Sequence, residues 1–229
     1  MFKKTALVLA AIVSGVSAQA ADVAVTLDTT YVTNYVFRGI KAGEESIQPS
    51  VEATYGDFYA GIWHSSALSN KTDLTESDLY AGYNIAIDDT FSADVGVTRY
   101  LYEGKSTSDT TEAFVGIKAD IALSPSLYYY YDFDLEVSTY EASVGYSVPA
   151  EAINASLDFS GKFGVVQATG EDRTYASVGL AVPFKLAENA TLTAGVDYIV
   201  NDGDTYKGSS VINRDSDGFV AKLGLAIGF

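Results

Sequence analysis

The chain of 229 residues contains no cysteine, only 4 prolines and a single histidine, His64. Without cysteine, the fold cannot be held together by disulfides, and no thiolate is present to bind a metal. One histidine is too few for a zinc site of the usual type. The sequence therefore predicts neither a metal site nor a cofactor.

Long apolar runs and basic residues are also scarce. Beyond the first 20 residues, no run approaches the roughly 18 consecutive apolar residues that a membrane-spanning helix needs. The chain has 14 Lys and Arg against 30 Asp and Glu, a formal net charge of −16. Such an excess of acids argues against nucleic acid as a partner.

The first 20 residues have the layout of a secretory signal peptide. Lys3 and Lys4 precede a short apolar segment, and the small residues Ala18 and Ala20 follow it. We expect cleavage after Ala20, with residues 21–229 forming one domain. Removal of the two lysines leaves 12 basic residues against 30 acidic ones, a formal net charge of −18. The sequence thus predicts export without a helical anchor.

Most of the remaining chain alternates between apolar and polar or small residues. Because alternation with a period of two places every second side chain on the same face, it predicts β-strands with one apolar face. The last such segment carries Phe219, Leu223, Leu225, Ile227 and Phe229 on one side. The predicted strands cover residues 23–40, 47–56, 57–66, 75–87, 91–103, 111–123, 127–134, 138–148, 153–166, 173–186, 190–201 and 216–229.

The links between these strands differ in length. Short links alternate with longer polar ones, such as 104–110, 168–172 and 202–215. This alternation is typical of an antiparallel up-and-down barrel in the bacterial outer membrane, with short turns in the periplasm. The short link at 134–138 departs from the pattern. We therefore predict about 12 strands, with 10 as the alternative count, and periplasmic N- and C-termini.

The apolar faces are interpreted as a lipid-facing exterior with aromatic belts at both interfaces. The predicted periplasmic belt contains Tyr55, Phe58, Phe91, Phe184 and Phe229. The predicted outer belt contains Tyr35, Phe37, Tyr131, Phe133, Tyr140 and Phe219. The alternative is a soluble, lipocalin-like barrel whose apolar faces point inward.

Two resemblances support the membrane interpretation. The final strand resembles the C-terminal signature that the barrel assembly machinery reads in outer-membrane proteins, matched here by Phe219, Leu223, Leu225, Ile227 and Phe229. The stretches "TNYVFRGI" (33–40), "GIWHSSA" (61–67) and "ESDLYAGY" (76–83) resemble the TorF family of proteobacterial porins. That resemblance implies an outer-membrane β-barrel channel, and it implies no catalytic residues.

The polar faces would then line a lumen. The predicted lumen residues are Asp28, Arg38, Glu52, Asp78, Asp94, Tyr100, Glu112, Lys118, Asp120, Asp132, Glu141, Asp158, Lys162, Asp197 and Lys222. Because acids exceed bases, we expect passive diffusion of small hydrophilic solutes with a preference for cations. The inward tyrosines expected to narrow the passage are Tyr80, Tyr100, Tyr102, Tyr128 and Tyr130, and the inward glycines expected to widen it are Gly82, Gly96, Gly116, Gly145 and Gly224. Arg38 is expected to end the first strand and to pair with Asp28, Glu52 or Asp78.

Two other functions fit the same sequence. A barrel with a filled lumen would be a structural or interaction protein without conductance. His64 and Ser66, two residues apart, could instead serve an outer-membrane phospholipase, but no third residue to orient the imidazole is apparent, so we expect no enzyme. The expected partners are membrane lipid, lipopolysaccharide, the assembly machinery and small solutes. No feature of the sequence indicates an oligomeric state.

Overall fold

A computed structural model describes residues 23–68, 75–103, 107–202 and 217–229, apart from the side chains of Glu171 and Asp217. The predicted signal peptide lies outside the described residues. No helix in the described part of the chain has the length and apolar character to cross a membrane. The strands are β1 (Ala24–Val32), β2 (Tyr35–Phe37), β3 (Ile40–Gly43), β4 (Ser46–Tyr55), β5 (Phe58–Ala67), β6 (Thr75–Ala86), β7 (Phe91–Glu103), β8 (Thr110–Ala119), β9 (Ser126–Asp132), β10 (Val137–Ala150), β11 (Ala155–Ala168), β12 (Glu171–Ala187), β13 (Ala190–Asn201) and β14 (Asp217–Gly228).

Twelve of these strands form one closed antiparallel barrel, and β2 and β3 form a separate hairpin. The barrel closes because β1 pairs with β4 on one side and with β14 on the other. Val25 and Phe229 bond through both backbone groups, at N···O distances of 3.1 and 2.9 Å. The predicted all-β barrel and its count of twelve strands are confirmed.

The two faces of the wall differ in chemistry as the alternation predicts. Apolar side chains on the exterior are widely exposed, as for Val178 at 62% and Ile62 at 51%. Polar side chains on the interior are buried, as for Asp94 and Glu112 at 1% each. Because large exposed apolar surfaces are unfavourable in water, this exterior requires an apolar environment.

The strand links fall at two ends of the barrel. The end at which Phe229 lies is called the terminal end, and its links are residues 56–57, 87–90, 120–125, 151–154 and 188–189. The opposite end is called the hairpin end. There the predicted longer link at 168–172 is wrong: β11 and β12 are joined by residues 169–170 alone, where Gly170 has a φ of +93°. The predicted links at 104–110 and 202–215 lie largely outside the described residues.

The predicted first strand, 23–40, is wrong in its second half. The wall strand β1 ends at Val32, and the chain then forms the β2–β3 hairpin, with Phe37 opposite Ile40. The two turn residues, Arg38 and Gly39, have φ values of +47° and +79°. Positive φ at both central residues is the requirement of the tightest hairpin turns. The chain therefore reverses where the alternation suggested continuation.

The predicted strand 111–123 is also too long. The wall strand β8 ends at Ala119, and a turn follows in which Leu123 and Ser124 have positive φ values of 68° and 36°. The strand pairing with β7 ends at the same position, because Phe91 is opposite Ala119. Asp120 therefore lies exposed in the turn and does not belong to the wall.

Candidate functional site in the barrel lumen

The β2–β3 hairpin lies inside the barrel at the hairpin end. The Tyr35 hydroxyl donates a 2.6 Å hydrogen bond to Glu76 on β6, and the Tyr35 ring contacts that of Trp63 on β5, with ring centroids 5.5 Å apart. Burial, together with the nearby Glu76 carboxylate, raises the pKa of the Tyr35 phenol. Tyr35 therefore fixes one side of the hairpin to the wall as a neutral donor.

Arg38, at the tip of the hairpin, reaches the opposite strand β8. Its guanidinium donates hydrogen bonds of 2.6 and 2.8 Å to the two carboxylate oxygens of Glu112. It also lies over the rings of Phe37 and Tyr130, 4.8 and 4.5 Å from their centroids. Burial alone would lower the pKa of Arg38, but the Glu112 carboxylate, together with Tyr100 and Tyr175, raises it. The partner is thus Glu112, and the predicted pairing with Asp28, Glu52 or Asp78 is wrong because Arg38 is not on a wall strand.

The other side of the hairpin contacts β12 and β13. The Asn201 side chain donates a 2.7 Å hydrogen bond to the carbonyl oxygen of Gly39. A Cβ atom at Gly39 would lie 2.6 Å from the Cβ of Tyr175, so only glycine permits this approach. Val36 packs against a small apolar cluster that includes Ile199 and Val220. The hairpin consequently bridges the lumen from one side to the other.

The three sequence stretches that resemble the TorF family meet at this hairpin. Tyr35 comes from the first stretch, Trp63 from the second and Glu76 from the third. Trp63 is also the direct cross-strand neighbour of Asp78, from the third stretch. Tyr35, Trp63 and Glu76 therefore form one contiguous luminal group, although each is 13 or more positions from the next along the chain.

The part of the wall formed by β4 to β9 is filled by aromatic side chains and is called the aromatic wall. On it, inward glycines stand directly opposite inward aromatic residues, and a Cβ at each glycine would meet the opposite ring at less than 3 Å. The pairs are Gly61 with Tyr80, Gly82 with Tyr59, Gly96 with Phe114 and Gly116 with Tyr128. The prediction that Gly82, Gly96 and Gly116 widen a passage is wrong, because rings occupy that space.

The acids of the aromatic wall are bound by neighbouring side chains. Asp94 accepts 2.8 Å hydrogen bonds from Tyr59 and Tyr128 and lies 3.4 Å from the Lys118 ammonium. Glu52 accepts a 2.9 Å hydrogen bond from Tyr80. Such networks hold the carboxylates within the wall and limit their contact with water.

The rest of the wall, β10 to β14 with β1, carries small inward residues and is called the small-residue wall. Its inward positions include Ser143, Gly145, Ser160, Ser177, Gly179, Thr193, Gly195 and Gly224. A Cβ at Gly145 would have its nearest neighbour 3.8 Å away, so this position adjoins open space. The charged pairs here are Lys162 with Glu141 at 3.0 Å and Lys222 with Asp197 at 2.5 Å. The open part of the lumen lies along this wall.

The other predicted site residues can now be placed. Inward positions on the wall are held by Asp28, Glu52, Asp78, Asp94, Tyr100, Glu112, Lys118, Asp132, Glu141, Asp158, Lys162, Asp197 and Lys222. Arg38 enters the lumen from the hairpin, and Asp120 is not part of it. Outward positions on β14 and at its end are held by Phe219, Leu223, Leu225, Ile227 and Phe229. Tyr35 and Phe37, expected in the outer aromatic belt, are wrongly predicted, since both belong to the luminal hairpin.

His64 and Ser66 share the outer face of β5. The ring of His64 contacts Ser77 on β6, with 2.8 Å between Nδ1 and Oγ. Among the described residues, no group of three or more histidine, cysteine or acidic side chains is arranged to hold a metal ion.

Solved porin structures share the architecture of this chain. A KdgM porin gives a TM-score of 0.63 at 11% identity, covering 89% of this chain and 99% of that chain. A KdgM porin in complex with disordered oligogalacturonate gives 0.60 at 10% identity, over 90% and 99%. A NanC porin gives 0.60 at 12% identity, over 89% and 98%. At these identities the likeness shows the fold alone.

No curated protein matches the sequence. Residues 17–211 match the family described as "Bacterial protein of unknown function (Gcw_chp)". That range covers most of the chain, so the protein belongs to this family.

Proposed function

We propose that the protein is an outer-membrane porin that lets small hydrophilic solutes diffuse passively. The observation that carries this proposal is the closed barrel with an apolar exterior and a charged interior. Such a barrel satisfies its backbone hydrogen bonds without an open edge, as a lipid environment requires. The porin-like fold and the resemblance of three luminal stretches to the TorF family support the same function.

The proposed orientation places the terminal end in the periplasm and the hairpin end outside the cell. Export by the predicted signal peptide, insertion by the assembly machinery and contact with lipid and lipopolysaccharide follow from this placement. The β14 side chains from Phe219 to Phe229 would be the part that the assembly machinery reads. Their outward positions on the last strand leave them accessible to such a partner.

We also propose a preference for cations. Acidic residues at inward positions outnumber basic ones, and an excess of one sign in a narrow aqueous passage raises the concentration of the opposite ion. A barrel of twelve strands is intermediate between filled barrels of about 8 strands and open channels of about 16. Because the β2–β3 hairpin narrows the lumen further, conductance should be modest.

A second candidate function is a barrel that does not conduct. The observation that favours it is the hairpin that bridges the lumen, held by Tyr35, Arg38 and Gly39. If these contacts are permanent, the protein is a structural or interaction barrel of the membrane. The two candidates share fold and location and differ only in whether solutes cross.

The test is the conductance of purified protein in planar bilayers. Single-channel currents should be small, and the reversal potential under a salt gradient should indicate cation preference, most clearly at low ionic strength, where screening is weak. A reversal potential of the opposite sign would refute the charge argument. A well-inserted barrel without current would favour the structural function.

We propose no catalytic activity. The His64 imidazole lies beside Ser77 on the apolar exterior, and a histidine and serine alone lack the group that orients the base. The purified barrel should not hydrolyse phospholipid. Detectable hydrolysis that disappears in His64→Ala would overturn this proposal.

A further inference from the structure

The acids of the lumen do not contact water equally. Asp94 and Glu112 on the aromatic wall are each 1% exposed, and each is bound by tyrosine hydroxyls and a basic side chain. In contrast, Glu141 and Lys162 on the small-residue wall have side chains that are 13% and 16% exposed. A mobile ion in the lumen therefore meets the Glu141 carboxylate more directly than the carboxylates of Asp94 and Glu112.

Glu141 and Lys162 also lie where the hairpin tip comes closest to the small-residue wall. A pocket of about 20 Å³, which is room for about one water molecule, lies between Arg38 and Gly39 on the tip and Glu141, Lys162 and Tyr175 on the wall. Tyr175 donates a 2.5 Å hydrogen bond to Glu141, which fixes the carboxylate at this point. The pocket beside the hairpin tip is thus lined by one acid, Glu141, and two bases, Lys162 and Arg38.

We propose that solutes cross along the small-residue wall and that Glu141 and Lys162, beneath the hairpin tip, determine the ion selectivity of the channel. The inference rests on the proposed porin function and assigns its selectivity to two residues. Asp94 and Glu112 of the aromatic wall contribute little, because each is buried and paired with a basic side chain.

The two charges oppose each other, so removing either one should shift selectivity in a known direction. Glu141→Gln keeps an acceptor for Tyr175 and leaves Lys162 without its anion, which should favour anions. Lys162→Gln leaves Glu141 without its cation, which should favour cations. The cation-to-anion permeability ratio should change about sevenfold in each case, because one charge about 7 Å away in water changes the concentration of a univalent cation about threefold and that of a univalent anion about threefold in the opposite direction.

Two control variants separate charge from structure. The double variant Asp94→Asn with Lys118→Gln removes a buried acid of the aromatic wall together with its basic partner, and it should leave the reversal potential unchanged. Tyr175→Phe removes the hydrogen bond to Glu141 without altering any charge, and it should also leave the reversal potential unchanged. All variants are measured as inserted barrels in planar bilayers under the same salt gradient.

A labelling experiment covers the case in which the charge variants fail to insert. The chain has no cysteine, so Ser177→Cys introduces one thiol near the pocket and Thr98→Cys introduces one on the aromatic wall. An anionic methanethiosulfonate should increase cation preference only in Ser177→Cys. Labelling effects that are equal at both sites would overturn the inference.

The outcomes distinguish failure of the selectivity assignment from failure of the proposed porin function. Shifts of the same sign in Glu141→Gln and Lys162→Gln, or a shift as large as theirs in the double variant Asp94→Asn with Lys118→Gln, would overturn the assignment of selectivity while conductance upholds the porin function. An inserted wild-type barrel without current would overturn the porin function and the inference with it.

Discussion

Arg38, in the turn of the β2–β3 hairpin, donates two hydrogen bonds to Glu112, which lies 74 positions further along the chain on wall strand β8. The backbone of Arg38 has a φ of +47°, a conformation that costs a residue with a side chain about 1 kcal/mol or more. A charge-assisted bidentate pair is strong enough to offset that cost. The contact thus holds the hairpin tip in the lumen.

Arg38→Ala should destabilise the barrel, because it leaves the Glu112 carboxylate buried without its cation. Loss of one partner of a buried pair costs about 3–5 kcal/mol. The free energy of unfolding in lipid vesicles, from denaturant titration, measures this effect. The hairpin tip should also become less fixed, and any single-channel current should become larger or noisier. Replacement of both partners, as in Arg38→Met with Glu112→Gln, should cost less.

The matched control for Arg38→Ala is Lys41→Ala. Lys41 pairs with Glu44 at 2.9 Å in the same segment, but the Glu44 side chain is half-exposed. Exposed pairs contribute about 1 kcal/mol or less. Equal effects of the two alanine variants on unfolding would contradict the assigned role of Arg38.

Gly116→Ala should destabilise the barrel by about 1–3 kcal/mol, the usual cost of overpacking. An added Cβ would collide with the ring of Tyr128, whereas Gly145→Ala adds a methyl group to open space. The midpoint of heat modification on gels would rank the two variants. If both melt like the wild type, the rings do not pack on the glycines as described.

Val95→Arg tests which face of β7 meets lipid. An arginine on the lipid face near the bilayer midplane costs about 2–4 kcal/mol, so insertion into the outer membrane should fall. Thr193→Arg, at an inward position of the small-residue wall, should be tolerated. The neighbouring Gly96 is unsuitable as a control, because its side-chain space is filled by Phe114. Equal tolerance of the two arginine variants would refute the assigned faces.

Deletion of Phe229 should reduce outer-membrane insertion and lead to periplasmic accumulation or degradation. The Phe229 side chain is 72% exposed, and its backbone closes the barrel with Val25. Phe229→Ala keeps the backbone bonds and removes only the aromatic ring. Fractionation and heat modifiability should show that both variants assemble poorly if the ring is recognised. Normal assembly of Phe229→Ala would show instead that the deletion impairs assembly through loss of the backbone bonds to Val25 that close the barrel.

The faces of the wall could be predicted from sequence because a strand sorts its side chains by local alternation alone. Asp94, Glu112 and Lys222 therefore lie inward, as expected. The hairpin could not be predicted in this way, because "TNYVFRGI" continues the alternation of β1, and an Arg-Gly turn is not among the strongest hairpin signals. The partner of Arg38 depends on the register of the five intervening strands, β3 to β7, which no local pattern contains.

The covering of the inward glycines by rings can be predicted from the sequence, although the glycines alone suggest a wider passage. Once neighbouring strands are aligned, each inward glycine of that wall stands opposite an inward ring, as Gly82 does to Tyr59. An inward glycine next to a strand with inward aromatic residues therefore indicates a covered position. Gly145 lies opposite Ser160 instead, and its space stays open.

The contacts of the hairpin also bear on the order in which the protein folds. Gly39 bonds to Asn201, a sequence separation of 162 residues, and contacts between such distant positions form late because closing a long loop costs entropy. The wall can assemble from neighbouring strands, whereas the hairpin must wait for β8, β12 and β13. We therefore expect a newly inserted barrel to exist briefly with its interior still unobstructed, before the β2–β3 hairpin docks in the lumen.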